Sequence, residues 1–264
     1  MSSSPVLTVS HGGRAVVRLN RPKHHNRVEP ADIEAIEEAL VAVEEDETLR
    51  VLVLTGTGTT FCAGYDLVTL ASGGSAVESA KGEHALHAFE RVVDQLEACR
   101  LPTVCGLNGP AYGGGTDLAL ACDFRIGVAA TRMVVPASEL GVHYYHGGLR
   151  RFVTRLGLSA ATRLFLLSQP IDAAEMLRIG FLHEVVPTID DLQNRIDEIA
   201  SHLAAAPVPA VLTSMKRALH RIARGDMNSD ATDAAWEASV RSPAVSRAAA
   251  ERLNVRPLKA VPKK

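Results

Sequence analysis

Residues 103–123, with the sequence TVCGLNGPAYGGGTDLALACD, decide the fold. The apolar run Thr103–Leu107 follows a proline and predicts a β-strand. Three consecutive glycines at positions 113–115 then break the pattern, and residues 116–122 predict an apolar helix. Phe124–Val128 predicts the next strand. A strand, a glycine loop, a helix and a strand in this order indicate a parallel sheet with crossover connections.

The chain before this stretch extends the same pattern. Val6–Ser10 and Arg14–Leu19 are short strand-like runs joined across two glycines, which predicts a hairpin. A helix is expected to begin at Pro30, with apolar residues at helical spacing. The continuous apolar run at residues 51–54 predicts a strand that is buried on both faces, and residues 83–98 predict another helix. The apolar positions of the first helix are Ile33, Ile36, Leu40 and Val43.

From about Leu149 onward the sequence predicts mostly helices, with one short strand at residues 183–186. We expect residues 1–200 to form the α/β core and residues 201–264 to form a helical region for oligomerisation. Residues 71–80, ASGGSAVESA, are expected to form a mobile loop. The predicted helices are residues 159–167, 173–179, 190–205, 210–224 and 231–240.

Composition excludes several classes of protein. The chain has 264 residues, of which 47% are hydrophobic and 22% charged, and a formal net charge of -2. These values fit a globular protein and give no general electrostatic attraction to nucleic acid or an anionic membrane. Its four cysteines form no CxxC pair and are expected to be reduced thiols. We find no signal-peptide pattern and no apolar run of about 20 residues, so we expect a cytosolic (cytoplasmic) protein.

Two loops are expected to face one crevice. In an open parallel sheet, ligands bind beyond the carboxyl ends of the strands, where residues 61–67 and 108–117 follow two predicted strands. The glycines at 113–115 allow the backbone to approach a ligand, and the free N–H groups of the following helix could stabilise an enolate oxygen. Taken separately, each loop has a structural explanation. The glycines suit a tight packing corner, and Asp66 suits a helix cap.

Four segments in the same order carry a resemblance to a known family. They are FCAGYDL at residues 61–67, NGPAYGGGTDLALACD at 108–123, LNRPKHHN at 19–26 and IDAAEMLRIGFLHEVVP at 171–187. Together they resemble the crotonase superfamily of enoyl-CoA hydratases and isomerases, over roughly residues 6–224. The resemblance implies an α/β fold, a crotonase-like spiral of ββα units with a helical C-terminal trimerisation region. It also implies a homotrimer or a dimer of trimers.

The resemblance also implies an acyl-CoA substrate from fatty-acid metabolism and no metal or redox cofactor, since coenzyme A enters as part of the substrate. The oxyanion donors would be the backbone N–H groups of Tyr65 and Gly114. The backbone near His25 and the loop at residues 63–67 would hold the adenine and pantetheine parts of coenzyme A. The basic cluster of Arg21, Lys23, His24 and Arg27 would lie near the phosphates or is simply a solvated turn. The residues assigned to coenzyme A binding are Lys23, His25, Ala63, Gly64, Asp66 and Leu67.

The acid/base residues depart from the family pattern. Hydratases of this family use two carboxylates whose pKa values are held apart. Asp117 matches the first, but Ala137 stands where the second is expected, and Glu139 lies two residues further on. Residues two apart do not share a helix face, so Glu139 is either a surface acid or a substitute in an irregular backbone. Tyr144 resembles a tyrosine of the methylmalonyl-CoA decarboxylase branch, although that branch has histidine where Tyr65 stands.

Three functions therefore stay open. The first is an acyl-CoA lyase or isomerase of the enoyl-CoA hydratase type, in which Tyr65, Gly114, Asp117, Tyr144 and Glu139 are the candidate catalytic residues. The second is a decarboxylase of malonyl-type or methylmalonyl-type thioesters. The third is a non-catalytic acyl-CoA binding protein. His143 and His146 are spaced HxxH without an evident third ligand, so we predict no metal site.

Overall fold

The computed structural model describes residues 6–10, 12–66, 85–245 and 247. Its larger sheet has six strands in the order β1, β2, β3, β4, β6, β9. β1 and β2 pair antiparallel, as the predicted hairpin requires, and every other pair is parallel. The strands are β1 (Val6–Ser10), β2 (Arg14–Leu19), β3 (Val51–Gly56), β4 (Thr103–Leu107), β6 (Phe124–Val128) and β9 (Glu184–Val186).

A second sheet of three short strands accompanies the first. It consists of β5 (Ala111–Tyr112), β7 (Arg132–Val134) and β8 (Ile171–Asp172), in that order. β5 follows β4 and β7 follows β6, while Cys62, which follows β3, forms an isolated bridge with Ala111. Each repeat of the chain therefore contributes one strand to the larger sheet and then one short strand or bridge to the smaller sheet. This arrangement is the predicted spiral of ββα units.

Helices separate these strand pairs. The helix predicted after the glycines begins at Gly114, two residues earlier than expected. A helix that was not predicted individually begins at His146. The helices are α1 (Pro30–Glu45), α2 (Ala85–Ala98), α3 (Gly114–Ala121), α4 (His146–Leu156), α5 (Leu158–Leu167), α6 (Ala173–Arg178), α7 (Ile189–Ala204), α8 (Pro209–Ala223) and α9 (Asp230–Val240).

The core lies on both faces of β3 and β4, whose residues are all buried. Leu52 and Leu54 pack in one apolar cluster with the buried faces of α1 and α2. α7 lies over β3 and β4 on the other side, where a Cβ on Gly106 would stand 2.3 Å from the end of the Ile196 side chain. The absence of a side chain at Gly106 thus lets α7 pack close to the sheet that carries the two glycine loops.

The chain divides into two compact units, residues 1–204 and 205–264. The second contains α8 and α9, and neither helix has a buried residue. Within the described part of the chain, no helix has the length and apolar character needed to cross a membrane. The loop predicted at residues 71–80 and the coenzyme A contact predicted for Leu67 lie outside the described residues.

Candidate active site at the two glycine loops

The two glycine loops are held side by side by backbone hydrogen bonds. The N–H groups of Phe61 and Cys62 donate to the carbonyl of Pro110, at 3.0 and 3.3 Å. The N–H of Tyr112 donates back to the carbonyl of Cys62 at 2.9 Å. β3 and β4 pair in parallel and present their carboxyl ends at one edge, so the loops that follow them continue the pairing beyond the sheet.

Glycine is required where the loops touch. Gly64 has φ +84°, and a Cβ at that position would lie 2.6 Å from the carbonyl oxygen of Tyr112 and 3.0 Å from the nitrogen of Gly114. A Cβ on Gly115 would lie 2.6 Å from the carbonyl oxygen of Cys62. The two approaches of 2.6 Å are shorter than real Cβ contacts allow, so the backbone around Gly64 and the start of α3 meet without intervening side chains.

Two amide donors at this junction have no acceptor among the residues that the structure describes. The N–H of Val28 donates to Gly64 and the N–H of Asp66 donates to Val28, so the bonds flank Tyr65 without using its N–H. Gly114 is the first residue of α3, where N–H groups have no partner within the helix. Among the described residues we find no acceptor for the N–H of Tyr65 or of Gly114. Free amides beside a helix N-terminus can stabilise a negatively charged oxygen.

The turn predicted to hold coenzyme A lies beside the first loop. The N–H of Ala63 donates to the carbonyl of His25 at 2.9 Å, and Val28 forms a parallel bridge with Tyr65. The imidazole Nδ1 of His25 lies 3.1 Å from the hydroxyl of Thr60. The structure thus brings His25, Ala63, Gly64 and Asp66 together.

Two of the four basic residues predicted near the phosphates are engaged elsewhere. Arg21 binds Glu29 and Asp32, and Arg27 binds Glu29 and Asp66. Lys23 and His24 lie on an exposed 3₁₀ turn (Pro22–His24) and form no ion pair with any described residue. Of the predicted cluster, Lys23 and His24 therefore remain available to an anionic ligand among the described residues.

Asp117 lies beneath the junction and is fully buried. Its Oδ1 accepts from Nε of Arg151 at 2.8 Å, and its Oδ2 accepts from the hydroxyl of Tyr145. Arg151, also fully buried, binds Glu97 at 2.8 Å and Asp94 at 3.0 Å. Burial alone would lower the pKa of Arg151, but the adjacent carboxylates, Asp117 first, raise it above its usual value. Asp117 is therefore a buried, paired carboxylate.

Aromatic rings connect Asp117 with the amide donors. The ring of Phe89 packs against the start of α3, because a Cβ on Gly114 would lie 2.7 Å from its Cζ. Phe89 also contacts Tyr65, with ring centroids 5.8 Å apart, and Tyr145 edge-on at 6.4 Å. Burial and then the charge of Asp117 raise the pKa of Tyr145, so its hydroxyl is neutral at ordinary pH. The rings of Tyr65, Phe89 and Tyr145 therefore contact one another next to Gly114 and Asp117.

The residues proposed to replace the missing second carboxylate separate in the structure. Tyr144 stacks on Tyr145 at 4.8 Å, and its buried hydroxyl has no hydrogen-bond partner within the described residues. A Cβ on Gly148 would touch both Tyr144 and the Oδ2 of Asp117, which places the two close together. Glu139, in contrast, is exposed, whereas Ala137 lies in the apolar core. The structure thus brings Tyr144 to Asp117 and leaves Glu139 at the surface.

Two residues of this site were missed in the sequence, Tyr145 and Arg151. Arg151 falls on the buried face of α4 with Gly147, Gly148 and Phe152, at helical spacing. A charge on an apolar stripe was a signal that it has a buried partner. Nothing in the sequence distinguishes Tyr145 from its neighbour Tyr144, because their roles depend on the direction of the chain entering α4.

Comparisons with known proteins agree with the predicted resemblance. A model of the family described as Enoyl-CoA hydratase/isomerase matches residues 10–247. The chain is 31% identical to the short-chain-enoyl-CoA hydratase of Clostridium acetobutylicum, over 84% of this chain and 83% of that protein. It is 33% identical to the crotonyl-CoA hydratase of Syntrophomonas wolfei, over 76% and 75% of the two chains.

A relative with another activity and a solved structure complete the comparison. The 4-chlorobenzoyl coenzyme A dehalogenase-2 of an Arthrobacter species is 31% identical, over 76% of this chain and 73% of that protein. The crystal structure of an enoyl-CoA hydratase from Bacillus anthracis superposes with a TM-score of 0.84 at 26% identity, covering 97% of this chain and 98% of that chain. The predicted crotonase-like fold is thereby confirmed.

Proposed function

The chain belongs to the enoyl-CoA hydratase/isomerase family, and on that premise we propose that it is a lyase that adds water to a 2-enoyl-CoA thioester. The observation that carries the proposal is the junction at Gly64, where the N–H groups of Tyr65 and Gly114 have no acceptor among the described residues. In the proposed complex, both groups donate to the thioester oxygen.

The two donors would act mainly on the transition state. When water adds to C3, the electrons of the double bond move toward the carbonyl, whose oxygen becomes negative. Preformed amide donors stabilise that charge, and losing one donor typically costs about 2.7–4 kcal/mol of barrier. Coenzyme A enters as part of the substrate. Lys23, His25 and the loop containing Ala63, Gly64 and Asp66 are proposed to bind its phosphates and pantetheine.

We assign proton transfer to Asp117 and the hydroxyl of Tyr144, which lie close together near the junction of the two loops. Asp117 is the buried carboxylate, and the hydroxyl of Tyr144 is a buried polar atom that lacks a partner in the described chain. An unsatisfied buried hydroxyl costs about 1–3 kcal/mol, so a ligand or water that binds it recovers that energy. Glu139 is exposed, so we place it outside the reacting centre.

A product analysis tests the proposal. Purified protein is incubated with crotonyl-CoA, and the products are identified by mass spectrometry, in parallel with the variants Asp117→Ala and Gly180→Ala. We expect a mass gain of one water in the wild type, retained in Gly180→Ala and lost in Asp117→Ala. Binding of 2-enoyl-CoA esters without any conversion would instead identify a non-catalytic acyl-CoA binding protein.

One observation favours a second function, decarboxylation of a malonyl-type thioester. Ala137 is buried in the apolar core where a second carboxylate would be needed for hydration, and the hydroxyl of Tyr144 is available to a carboxylate. Decarboxylation requires an enolate-stabilising pocket and an apolar place for the leaving group. Conversion of methylmalonyl-CoA to propionyl-CoA and CO₂, with crotonyl-CoA left unchanged, would favour this function over hydration.

We also propose that the protein is a homo-oligomer, in agreement with the homotrimer or dimer of trimers that the resemblance implies. The second compact unit exposes large apolar side chains on helices that have no buried residue. Such a surface is typical of a protein–protein interface. The apolar residues that are more than half exposed in this unit are Met215, Leu219, Ile222, Met227, Trp236 and Val240.

A further inference from the structure

Tyr145 contacts both Asp117 and the ring of Phe89 in the proposed site. Its hydroxyl donates to Oδ2 of Asp117, while Oδ1 of the same carboxylate is held by Arg151. Asp117 and the Arg151 side chain are both 0% exposed, whereas Tyr145 is half-buried. Of the two side chains that hold Asp117, Tyr145 is therefore the one with accessible surface among the described residues.

Tyr145 and Asp117 also lie close to the proposed oxyanion donor Gly114. Gly114, an oxyanion donor, and Asp117 lie three residues apart on α3, which puts them on one helix face about 4.5 Å apart along the axis. Phe89 contacts both Gly114 and Tyr145. A thioester whose oxygen is bound at Gly114 would thus present its C2 and C3 atoms toward the hydroxyl of Tyr145.

From this arrangement we infer that Tyr145 and Asp117 form a single proton-relay pair. The pair takes a proton from water and delivers a proton to C2 of the substrate, and Arg151 is the residue that positions Asp117. The inference rests on the proposed function. It explains how hydration could proceed with Ala137 in place of a second acid, since one pair serves both steps. Tyr145 is then a catalytic residue, and Asp117 acts through it.

Every proton that the relay takes up in the proposed hydration is returned. Water oxygen forms a bond to C3, and its proton passes to Oη of Tyr145 while the proton of Tyr145 passes to Oδ2 of Asp117. The double-bond electrons move into the thioester, giving an enolate at the two N–H donors. The enolate then takes the proton from Tyr145 at C2, and Tyr145 recovers its own from Asp117. The net change is the addition of one water, and Asp117 ends as a carboxylate paired with Arg151.

Two readouts on the variant Tyr145→Phe test the relay. The first is kcat for hydration of crotonyl-CoA. The second is exchange of the C2 protons of butyryl-CoA in D₂O, which needs the relay but no addition of water. We expect kcat and the exchange rate to fall by at least about 100-fold, with KM nearly unchanged. Because Asp117 acts through Tyr145, the double variant Asp117→Asn/Tyr145→Phe should be no slower than Tyr145→Phe alone.

A matched control addresses structural damage. Arg150 precedes Arg151 on α4 and binds Glu97, but it forms no hydrogen bond or ion pair with Asp117. Arg150→Gln therefore changes the same charge cluster without touching the relay, and it should keep both rates. If Tyr145→Phe hydrates and exchanges at rates within a few-fold of the wild type, the inference is overturned.

The two readouts also separate failure of the inference from failure of the proposed function. A wild type that exchanges C2 protons in a Tyr145-dependent way without hydrating any 2-enoyl-CoA would support the relay and reject the hydratase proposal. A wild type that hydrates crotonyl-CoA, together with a Tyr145→Phe variant that hydrates it equally well, would support the hydratase and reject the relay. A wild type with neither activity would overturn both.

Discussion

Gly64 is constrained by both its dihedral angle and its surroundings. Its φ of +84° is disfavoured for residues with a side chain, and a Cβ would lie 2.6 Å from the carbonyl oxygen of Tyr112. Gly180 has a similar φ of +78°, yet nothing lies within 4 Å of its would-be Cβ. The two glycines therefore share a conformational requirement and differ in the close backbone contact that forms the proposed oxyanion site.

Alanine substitution should distinguish these requirements. In Gly64→Ala the loops must separate to admit the Cβ, which moves the N–H of Tyr65 away from that of Gly114, and we expect kcat/KM to fall by about 100- to 1,000-fold. Gly180→Ala should lose about 1–2 kcal/mol of stability and keep its turnover. Steady-state kinetics and urea unfolding of both variants measure this. Equal turnover in the two would contradict the account.

His183 links β6 to the segment before β9 through a bond that requires a neutral ring. Its Nδ1 accepts from the backbone N–H of Arg125 at 3.0 Å. Removal of the ring from water, followed by the positive charges of Arg125 and Arg155, lowers the pKa of His183 to about 4. In the unfolded chain the pKa is about 6.5, so the unfolded state gains a proton first as the pH falls.

The stabilisation from neutral His183 is therefore fully present above about pH 6.5 and is lost as the pH falls toward 4. The variant His183→Asn keeps an acceptor for the N–H of Arg125 but does not titrate. We expect the free energy of unfolding of the wild type to fall more steeply than that of His183→Asn between pH 6.5 and 4. If the free energy of unfolding falls equally with pH in the two proteins, His183 does not contribute to the pH dependence of stability.

Three helices are joined by one charged cluster. Asp94 and Glu97 are on α2, Asp117 is on α3 and Arg151 is on α4, and the guanidinium of Arg151 binds all three carboxylates. A buried ion pair of this kind is not strongly stabilising compared with an apolar core, but removing one partner leaves buried charges without compensation. The cluster thus fixes how α4, with Tyr145 preceding it, lies against α3.

Removing the central cation should cost far more than removing its neighbour. Arg151→Met leaves Asp117 and Glu97 buried without their main partner, and we expect a loss of about 3–5 kcal/mol in the free energy of unfolding. Arg150→Met leaves Glu97 paired with Arg151, and about 1 kcal/mol should be lost. Urea unfolding at pH 7 compares the two variants. Similar losses would show that Arg151 is not central to the cluster.

The elements that could be predicted from the sequence are those with a periodic or continuous apolar pattern. β3, β4 and α1 were predicted because their buried residues form runs or helical stripes. β5 and β8, with two residues each, are too short to carry a pattern. The start of α3 was placed two residues late because glycine normally ends helices, whereas here Gly114 begins one and offers a free N–H.

At the candidate site, the residues that could be predicted from the sequence are those in the two glycine loops. The loops around Gly64 and Gly114 were located because each follows a predicted strand and the second contains consecutive glycines, and the roles of their residues came from the resemblance to the family. The contact of Tyr145 with Asp117 connects residues 28 positions apart and depends on how the chain turns into α4. The sequence predicted an acid at Asp117 and the absence of a second acid at Ala137. The hydrogen bond from the Tyr145 hydroxyl to Asp117 depends on how α4 packs against α3 and could not be predicted.

At the scale of the whole molecule, the described helices of the C-terminal unit expose large apolar side chains. α8 and α9 pack on each other, yet Trp236 is 66% exposed and Leu219 is also 66% exposed. A monomer that leaves such side chains in water gains little from forming these helices. The proposed homotrimer would bury them.

A charge on this surface should therefore disrupt the assembly. We expect Trp236→Glu to reduce the molar mass measured by light scattering from a multiple of the subunit mass to that of one subunit. Val41 on α1 is 49% exposed and belongs to the other unit, so Val41→Glu is the matched control and should keep the wild-type mass. A monomeric wild type would contradict the proposed assembly.

The most direct test of the proposed site is the vibration of the substrate carbonyl. Difference infrared spectroscopy with ¹³C-labelled crotonyl-CoA reports the C=O stretch of the bound thioester. Two donors on one oxygen weaken the C=O bond, so the account predicts a stretch at lower frequency than in water for the wild type, and a return toward the value in water for Gly64→Ala. A bound carbonyl that vibrates in the wild type at the frequency found in water, or above it, would contradict the claim that the N–H groups of Tyr65 and Gly114 hold this oxygen.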